Sequence, residues 1–414
     1  MQWQDSALVE TTTGCSIELS TLCHMGDHKG WPSPLHRFTD MATHHYFNHA
    51  GCSIITERTK RAVVVQLELE SQVGSFKADQ MSATEMQRLY ELAATAIGAS
   101  ATDIALTDSH TTGWAKAIQA LNIKSGDVLL TTRGEWGGNL SVMHHLAHQV
   151  GARVKIVDSD DRGSTSIESL ASLMTPQVRL LSVAWLGSNG GYLEPAQAIG
   201  ELARTHGVPY FLDASQVVGQ LPVDVTALKC DMLSTPGRKW LRGPKGTGLM
   251  YLRPSFLAKL QEARAFEGIL EAGMSLTAKH FEAPSTSRPL HMGLKAALEQ
   301  LHEAGADSVR RRILANTCLI RERLLAIPQV RFICEQSPEH GLLSFTVHGH
   351  TAAAVKTHFM DRGIEVAANV AAFTPLDMQT RGLDAVVRVS AHADTAPEAI
   401  DALVHATHVL CSRM

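Results

Sequence analysis

Several apolar, strand-like runs in this 414-residue chain end on side chains that could do chemistry. The stretch "STPGRKWLRGPKGTGLMYL", residues 234–252, sets Lys239 between an arginine and a tryptophan, ahead of a Gly/Pro-rich turn and an apolar run. A lysine there is either a surface cation in a turn or an amine placed for reaction. The run "VPYFLD" closes on Asp213, with Ala214, Ser215 and Gln216 following. A carboxylate at the end of an apolar strand is costly unless a cation or hydrogen-bond donors meet it, although capping a helix is the simpler use. The segment "TDSHTTG", residues 107–113, leads from a strand into a helix whose first turn carries hydroxyls. Backbone N–H groups at such a helix start, with Ser109 and Thr111, form a natural phosphate site, and the same residues are also common helix caps. In "LLTTRGEWGGN", Trp136 stands beside Gly137 and Gly138, where an aromatic ring can stack on a flat ligand or fill a core. His144 and His148 lie four apart in "MHHLAH", a feasible zinc pair on one helix face. No H-E-x-x-H, acidic third ligand or paired cysteines accompany them, which favours a solvated or half-buried helix face.

The elements that must position these residues alternate. Strand candidates fall at 103–107, 127–132, 153–158, 178–185, 208–213, 231–235 and 247–252, with helical patterns around 82–98, 113–122, 139–150 and 194–206. Trp114, Ile118 and Leu121 recur at spacings of three and four, as one buried helix face requires. The alternation predicts an α/β fold, a mostly parallel sheet covered by helices, in which ligands bind beyond the carboxyl ends of the strands. From Gly293 to about Leu325 runs a long helical stretch interrupted near Gly305, and shorter strands and helices follow it. The expected organisation is an N-terminal arm over 1–45, a large domain over 46–300 and a smaller α+β domain over 301–414. No internal repeat or low-complexity tract is present.

Composition excludes some classes. With 44% hydrophobic and 19% charged residues the chain can bury a large core, and 37 Lys plus Arg against 41 Asp plus Glu give a formal charge of −4. Neither a polybasic nucleic-acid surface nor an acidic tail is implied, so no nucleic-acid partner is expected. No apolar run reaches the ~18 residues of a membrane span, and the first residues lack signal-peptide organisation, so a cytoplasmic protein without membrane contact is expected. Seven scattered cysteines without a C-x-x-C pair read as reduced thiols, mostly small core residues.

Taken together, the strand ends resemble the class V aminotransferase family of fold type I pyridoxal 5'-phosphate (PLP) enzymes, over residues 46–410. The most specific pieces are "DASQVVGQLPVDV" and "GRKWLRGPKGTGLMYLRP", with Lys239 lying 26 positions after Asp213. "YFNHAGCSI" and an "E..VGSF"-like segment further resemble the isopenicillin N epimerase-like and hercynylcysteine sulfoxide lyase branches. The resemblance implies a large domain built on a mostly parallel seven-stranded sheet and a smaller C-terminal α+β domain. It makes Lys239 the lysine that carries PLP as a Schiff base and shuttles protons at Cα, and Asp213 the partner of the pyridinium nitrogen. Gln216 would hydrogen-bond the phenolic oxygen, Ala214 would let the ring lie flat, and Trp136 would stack on it. Ser109, His110 and Thr111 would form the phosphate turn, with His110 replacing a more usual alanine, and Thr286 would lend a phosphate contact from a neighbouring subunit. In "VVRVSAHADT", Arg388 would fork the α-carboxylate of an amino acid substrate. Asp394 stands where asparagine is usual. A homodimer with composite sites is implied.

The reaction is less determined, since the same residues serve transaminases, epimerases and lyases. A desulfurase needs an attacking thiolate on a loop shortly before the R-x-S segment, yet no cysteine lies between Cys334 and Arg388. The branch resemblance favours β-elimination across a C–S bond, with transamination or epimerisation as the alternative.

Overall fold

A computed structural model describes residues 44–262 and 275–412. Seven strands form its main sheet, in the spatial order Ile104–Thr107, Gly248–Leu252, Met232–Pro236, Tyr210–Asp213, Val178–Ala184, Val128–Thr131, Arg153–Ile156. Gly248–Leu252 runs antiparallel to both neighbours, and every other pair is parallel. All seven correspond to the strand candidates, within three residues at each end.

Side chains alternate across a strand, so each strand feeds both faces of the sheet. Leu106, Leu130, Leu181, Leu212, Leu233 and Leu249 join one apolar cluster, with the helices Ala83–Ile97 and Ala196–His206. Ala105, Leu129, Leu180, Phe211, Met232 and Met250 join another, with Trp114 and Ile118 of the helix His110–Gln119 and Met143 of the helix Gly137–Val150. Burial on both faces explains why most of these strands read as continuous apolar runs. Arg153–Ile156 is one of the two edge strands and is largely exposed.

The helix expected from residue 113 begins earlier, at His110. Ser109 is its cap, accepting the Thr112 N–H at 3.2 Å, so the hydroxyl-rich segment is the first turn itself. The long helical stretch divides at Gly305, whose φ of +75° separates Arg288–Ala304 from Ala306–Leu325. Beyond it lies a four-stranded antiparallel sheet in the order Ala367–Val370, Ala385–Ser390, Leu342–Val347, Val330–Phe332. Ile320, Leu324, Phe345, Phe359, Val387 and Leu403 help build its core. The short strand His45–Tyr46 pairs with Ile364–Glu365, and Asn48 bridges to Ser390, which brings the following turn to the end of this sheet. The expected arm, apart from residues 44 and 45, lies outside the described residues. Among the described residues no helix is long and apolar enough to cross a membrane.

Candidate active site

At the carboxyl ends of the parallel strands a cavity of about 290 Å³ opens between the two sheets. Lys239, Asp213, Gln216, Trp136, Ser109, His110, Thr111 and Arg388 all line it, from elements spread over 280 residues of sequence. Ala214 is fully buried at the end of Tyr210–Asp213 and is not among the lining residues. Thr286 is exposed, outside the cavity of its own chain.

Lys239 sits in the turn between the strands Met232–Pro236 and Gly248–Leu252. The turn is pinned by Gly237 N–H donating to Thr247 O at 2.8 Å, Gly243 N–H to Gly237 O at 2.8 Å and Arg242 N–H to Lys239 O at 2.9 Å. Gly219, at φ +101°, passes so close behind it that a Cβ there would lie 2.6 Å from the Trp240 carbonyl carbon. Only glycine combines that backbone with that approach. Lys239 is buried, 9% exposed. Burial lowers its pKa to about 7, outweighing the attraction of Asp213, with Arg238 and Arg388 adding to the fall. A substantial fraction is therefore the free amine at neutral pH.

Asp213 divides its oxygens between two tasks. Oδ1 accepts the Ser215 N–H at 2.8 Å and so caps a turn; no helix starts here, and the simpler reading of Asp213 as a helix cap does not hold. Oδ2 faces His110 Nε2 at 3.1 Å and Asn139 Nδ2 at 3.5 Å. Gln216 is oriented by its neighbours: the Trp240 indole N–H can only donate, so Oε1 accepts it at 3.0 Å. One Nε2 hydrogen then goes to Ala50 O at 3.0 Å, and the other stays available.

Arg388, 5% exposed on Ala385–Ser390, donates to Ser188 O at 2.7 Å and Asn48 Oδ1 at 3.2 Å, while Nε has no partner. Burial lowers its pKa to about 10, and the charges acting on it are Tyr46 and Arg238, with no carboxylate among them. A buried guanidinium without a counter-charge, facing a cavity, is arranged for an incoming anion. Asp394 is 2.7 Å from Arg242 and takes no part in the cavity.

Glu135 and Asn139, not foreseen from the sequence, stand beside the cavity residues. Glu135 is fully buried and accepts from Ser182 Oγ at 2.8 Å, Trp136 N at 2.9 Å, Asn139 Nδ2 at 3.0 Å and Thr131 Oγ1 at 3.1 Å. Four donors favour its anion, yet burial, followed by repulsion from Asp213, raises its pKa to about 7. A signal existed: "TTRGEWGGN" places a carboxylate just past a buried strand, as "VPYFLD" does, with a polar residue one helical turn on. Asn48, Ser188 and Asn369, also in the cavity, carry no such signal. His144 and His148 are both exposed, and no group of three or more possible metal ligands converges among the described residues.

These features suit PLP. The open start of His110–Gln119 offers N–H groups and hydroxyls to a phosphate, Asp213 offers a carboxylate to a ring nitrogen, Gln216 keeps a donor free, and the Ser215 hydroxyl is buried without a partner. The aminotransferase class-V family profile matches residues 45–403, and the chain belongs to that family. It is accordingly a PLP-dependent enzyme. A probable cysteine desulfurase of Xylella fastidiosa (strain 9a5c) is 27% identical over 277 residues, 65% of this chain and 65% of the relative's length. Among solved structures, the apo cysteine desulfurase of Thermococcus onnurineus NA1 superposes with a TM-score of 0.79 at 22% identity, covering 92% of this chain and 96% of that one. The cystine C–S lyase C-DES, in complex with its product cysteine persulfide, gives 0.78 at 23% identity, covering 89% and 98%. At these identities the structures establish the fold, a fold type I α/β architecture.

Proposed function

We propose that this enzyme cleaves the C–S bond of an S-substituted cysteine by β-elimination, releasing pyruvate, ammonia and a sulfur leaving group. The convergence, in one cavity, of a buried amine shifted to about 7, a strand-end carboxylate and a buried guanidinium without a counter-charge supports removal of the Cα proton of an amino acid, and the resemblance to the sulfoxide lyase branch supports the C–S bond as the one that breaks. Bound PLP supplies a sink for the electron pair left when Cα loses its proton.

The chain's own residues do the rest. Lys239 would hold the cofactor and, as the free amine, would take up the Cα proton. Asp213 keeps a proton on the ring nitrogen. Arg388 grips the α-carboxylate and thereby turns the Cα–H bond towards Lys239. Ser109 and Thr111 hold the phosphate, Trp136 covers the ring, Gln216 donates to the phenolic oxygen, and the small side chain of Ala214 leaves the ring room. Thr286 is exposed and so available to a neighbouring subunit, in keeping with a homodimer of composite sites, which we also propose.

Relatives are named cysteine desulfurases, but residues 335–387 contain no cysteine to accept sulfur. That absence supports a lyase, whose sulfur departs with its leaving group. Purified enzyme given cysteine S-conjugates, S-oxides and cystine should release pyruvate continuously with no keto-acid partner. One turnover that stops until a keto acid is added would assign a transaminase, and Cα deuterium exchange without product an epimerase; either result removes the lyase. With a reactive substrate, Arg388→Ala should lower kcat/KM by about 10–100-fold, mainly through KM, because a bidentate charge-assisted contact is worth roughly 1.5–3 kcal/mol. An unchanged KM would take the carboxylate away from Arg388.

A further inference from the structure

We propose that His110 is a positioning residue for Asp213: from the first turn of its helix it donates Nε2–H to the carboxylate, holding it charged and oriented towards the ring nitrogen of bound PLP. The inference rests on the role proposed for Asp213 above.

His110 was expected in the phosphate turn; it is the first residue of the helix there, and its ring meets Asp213, Asn139 and Ser234. Nε2 lies 3.1 Å from Asp213 Oδ2 and 3.1 Å from Asn139 Oδ1, and Nδ1 lies 2.5 Å from Ser234 Oγ. Strand register explains the meeting, because Ser234 is the partner of Asp213 in the sheet. The Trp136 ring meets the imidazole edge-on, with centroids 6.0 Å apart and planes at 74°. The imidazole is thus fixed on both nitrogens and on a flank.

Chemistry selects the tautomer. Ionised Asp213 and the Asn139 carbonyl only accept, so Nε2 carries the hydrogen, shared between them, and Nδ1 of a neutral ring accepts from the Ser234 hydroxyl. Asn139 turned this way gives its NH2 to Glu135 at 3.0 Å and reaches Asp213 at 3.5 Å. One amide therefore ties the two buried carboxylates together. The charged groups acting on His110 are Asp213, which favours the imidazolium, and Lys239, which opposes it; burial dominates and lowers the His110 pKa.

The test uses full-length protein, PLP titrations followed by absorbance, and the variants His110→Ala and His110→Gln. Loss of a hydrogen bond to a charged group should weaken PLP binding about tenfold in His110→Ala, and glutamine, whose amide can donate to Asp213, should recover most of it. The pH at which the bound-cofactor spectrum changes on the acid side should rise in His110→Ala, because Asp213 has lost a donor to its charged form. A merely structural histidine would lower thermal stability without moving that profile. Added to Asp213→Asn, His110→Ala should change little further, since both remove one interaction. Wild-type affinity and pH profile in His110→Ala would overturn the proposal. If Asp213→Asn were silent as well, it is the reading of Asp213 that fails; if Asp213→Asn alone had an effect, His110 is dismissed. Should His110→Ala not fold, nitrogen-15 shifts of the wild-type ring decide. A ring with hydrogen on Nε2, neutral or cationic, supports the assignment, and a neutral ring protonated on Nδ1 alone overturns it.

Discussion

Lys239→Ala is expected to lose turnover by at least about 10⁴-fold, the upper end of what a positioned proton-transfer group contributes, while still binding PLP weakly. Two functions depend on one amine. On the proposed reading it would hold the cofactor covalently and carry the Cα proton. Borohydride should fix cofactor mass to the wild-type peptide containing Lys239 and to no peptide of the variant. The pKa near 7 adds a pH signature. Burial favours the uncharged form, so the free, nucleophilic amine grows as pH rises. Capture of PLP by the apo-protein should accelerate with pH up to about 7 and level off above it, where an exposed lysine would keep accelerating to about 10. Covalent labelling at another lysine, or a colourless protein indifferent to PLP, would refute the assignment.

How far the sequence exposed this site depends on what each residue needs. Asp213 was legible because it ends a fully buried apolar strand, where a charge is conspicuous, and Lys239 because it stands in the Gly/Pro-rich turn between two buried strands. Most of the seven strands were legible for a related reason, since burial on both faces removes polar interruptions; the largely exposed Arg153–Ile156 is the exception. The edges of helices were less so. His110–Gln119 begins three residues before its apolar periodicity does, because a capping serine, not hydrophobic spacing, sets its start. The direction of the His110 side chain was hidden altogether. Its partners Ser234 and Asn139 come from separate elements, 124 and 29 positions away, and only sheet register unites them. The helix Glu57–Val73 escaped because its face against Arg288–Ala304 buries few apolar residues: Thr59 and Gln66 are its buried positions, while Val64, Val65 and Leu67 are exposed. Nothing in a hydrophobic pattern marks such a helix.

Asp213→Asn is expected to keep the fold and to slow removal of the Cα proton by several orders of magnitude. The substitution is nearly isosteric, and the asparagine carbonyl can still accept the Ser215 N–H that Oδ1 accepts now. Its NH2 would then occupy the place of Oδ2, facing the His110 Nε2–H, and two donors cannot share that 3.1 Å contact. The imidazole can answer by moving its hydrogen to Nδ1, with the Ser234 hydroxyl becoming the acceptor, at the loss of the Nε2–H bond to Asn139 Oδ1. What cannot survive is the charge. Without a carboxylate the ring nitrogen loses the partner that holds its proton, and a neutral pyridine accepts electrons from Cα poorly. Glu135 gives an independent readout: repulsion from Asp213 contributes to its pKa near 7, so removing that charge should lower it. Cα hydrogen exchange in deuterium oxide, followed by proton NMR, measures the first effect, and carbon-13 titration of Glu135 the second. A variant that exchanges the Cα hydrogen as fast as wild type would show that Asp213 is a turn cap alone. A fallen Glu135 pKa with collapsed exchange would place the decisive charge on the carboxylate that His110 and Asn139 hold.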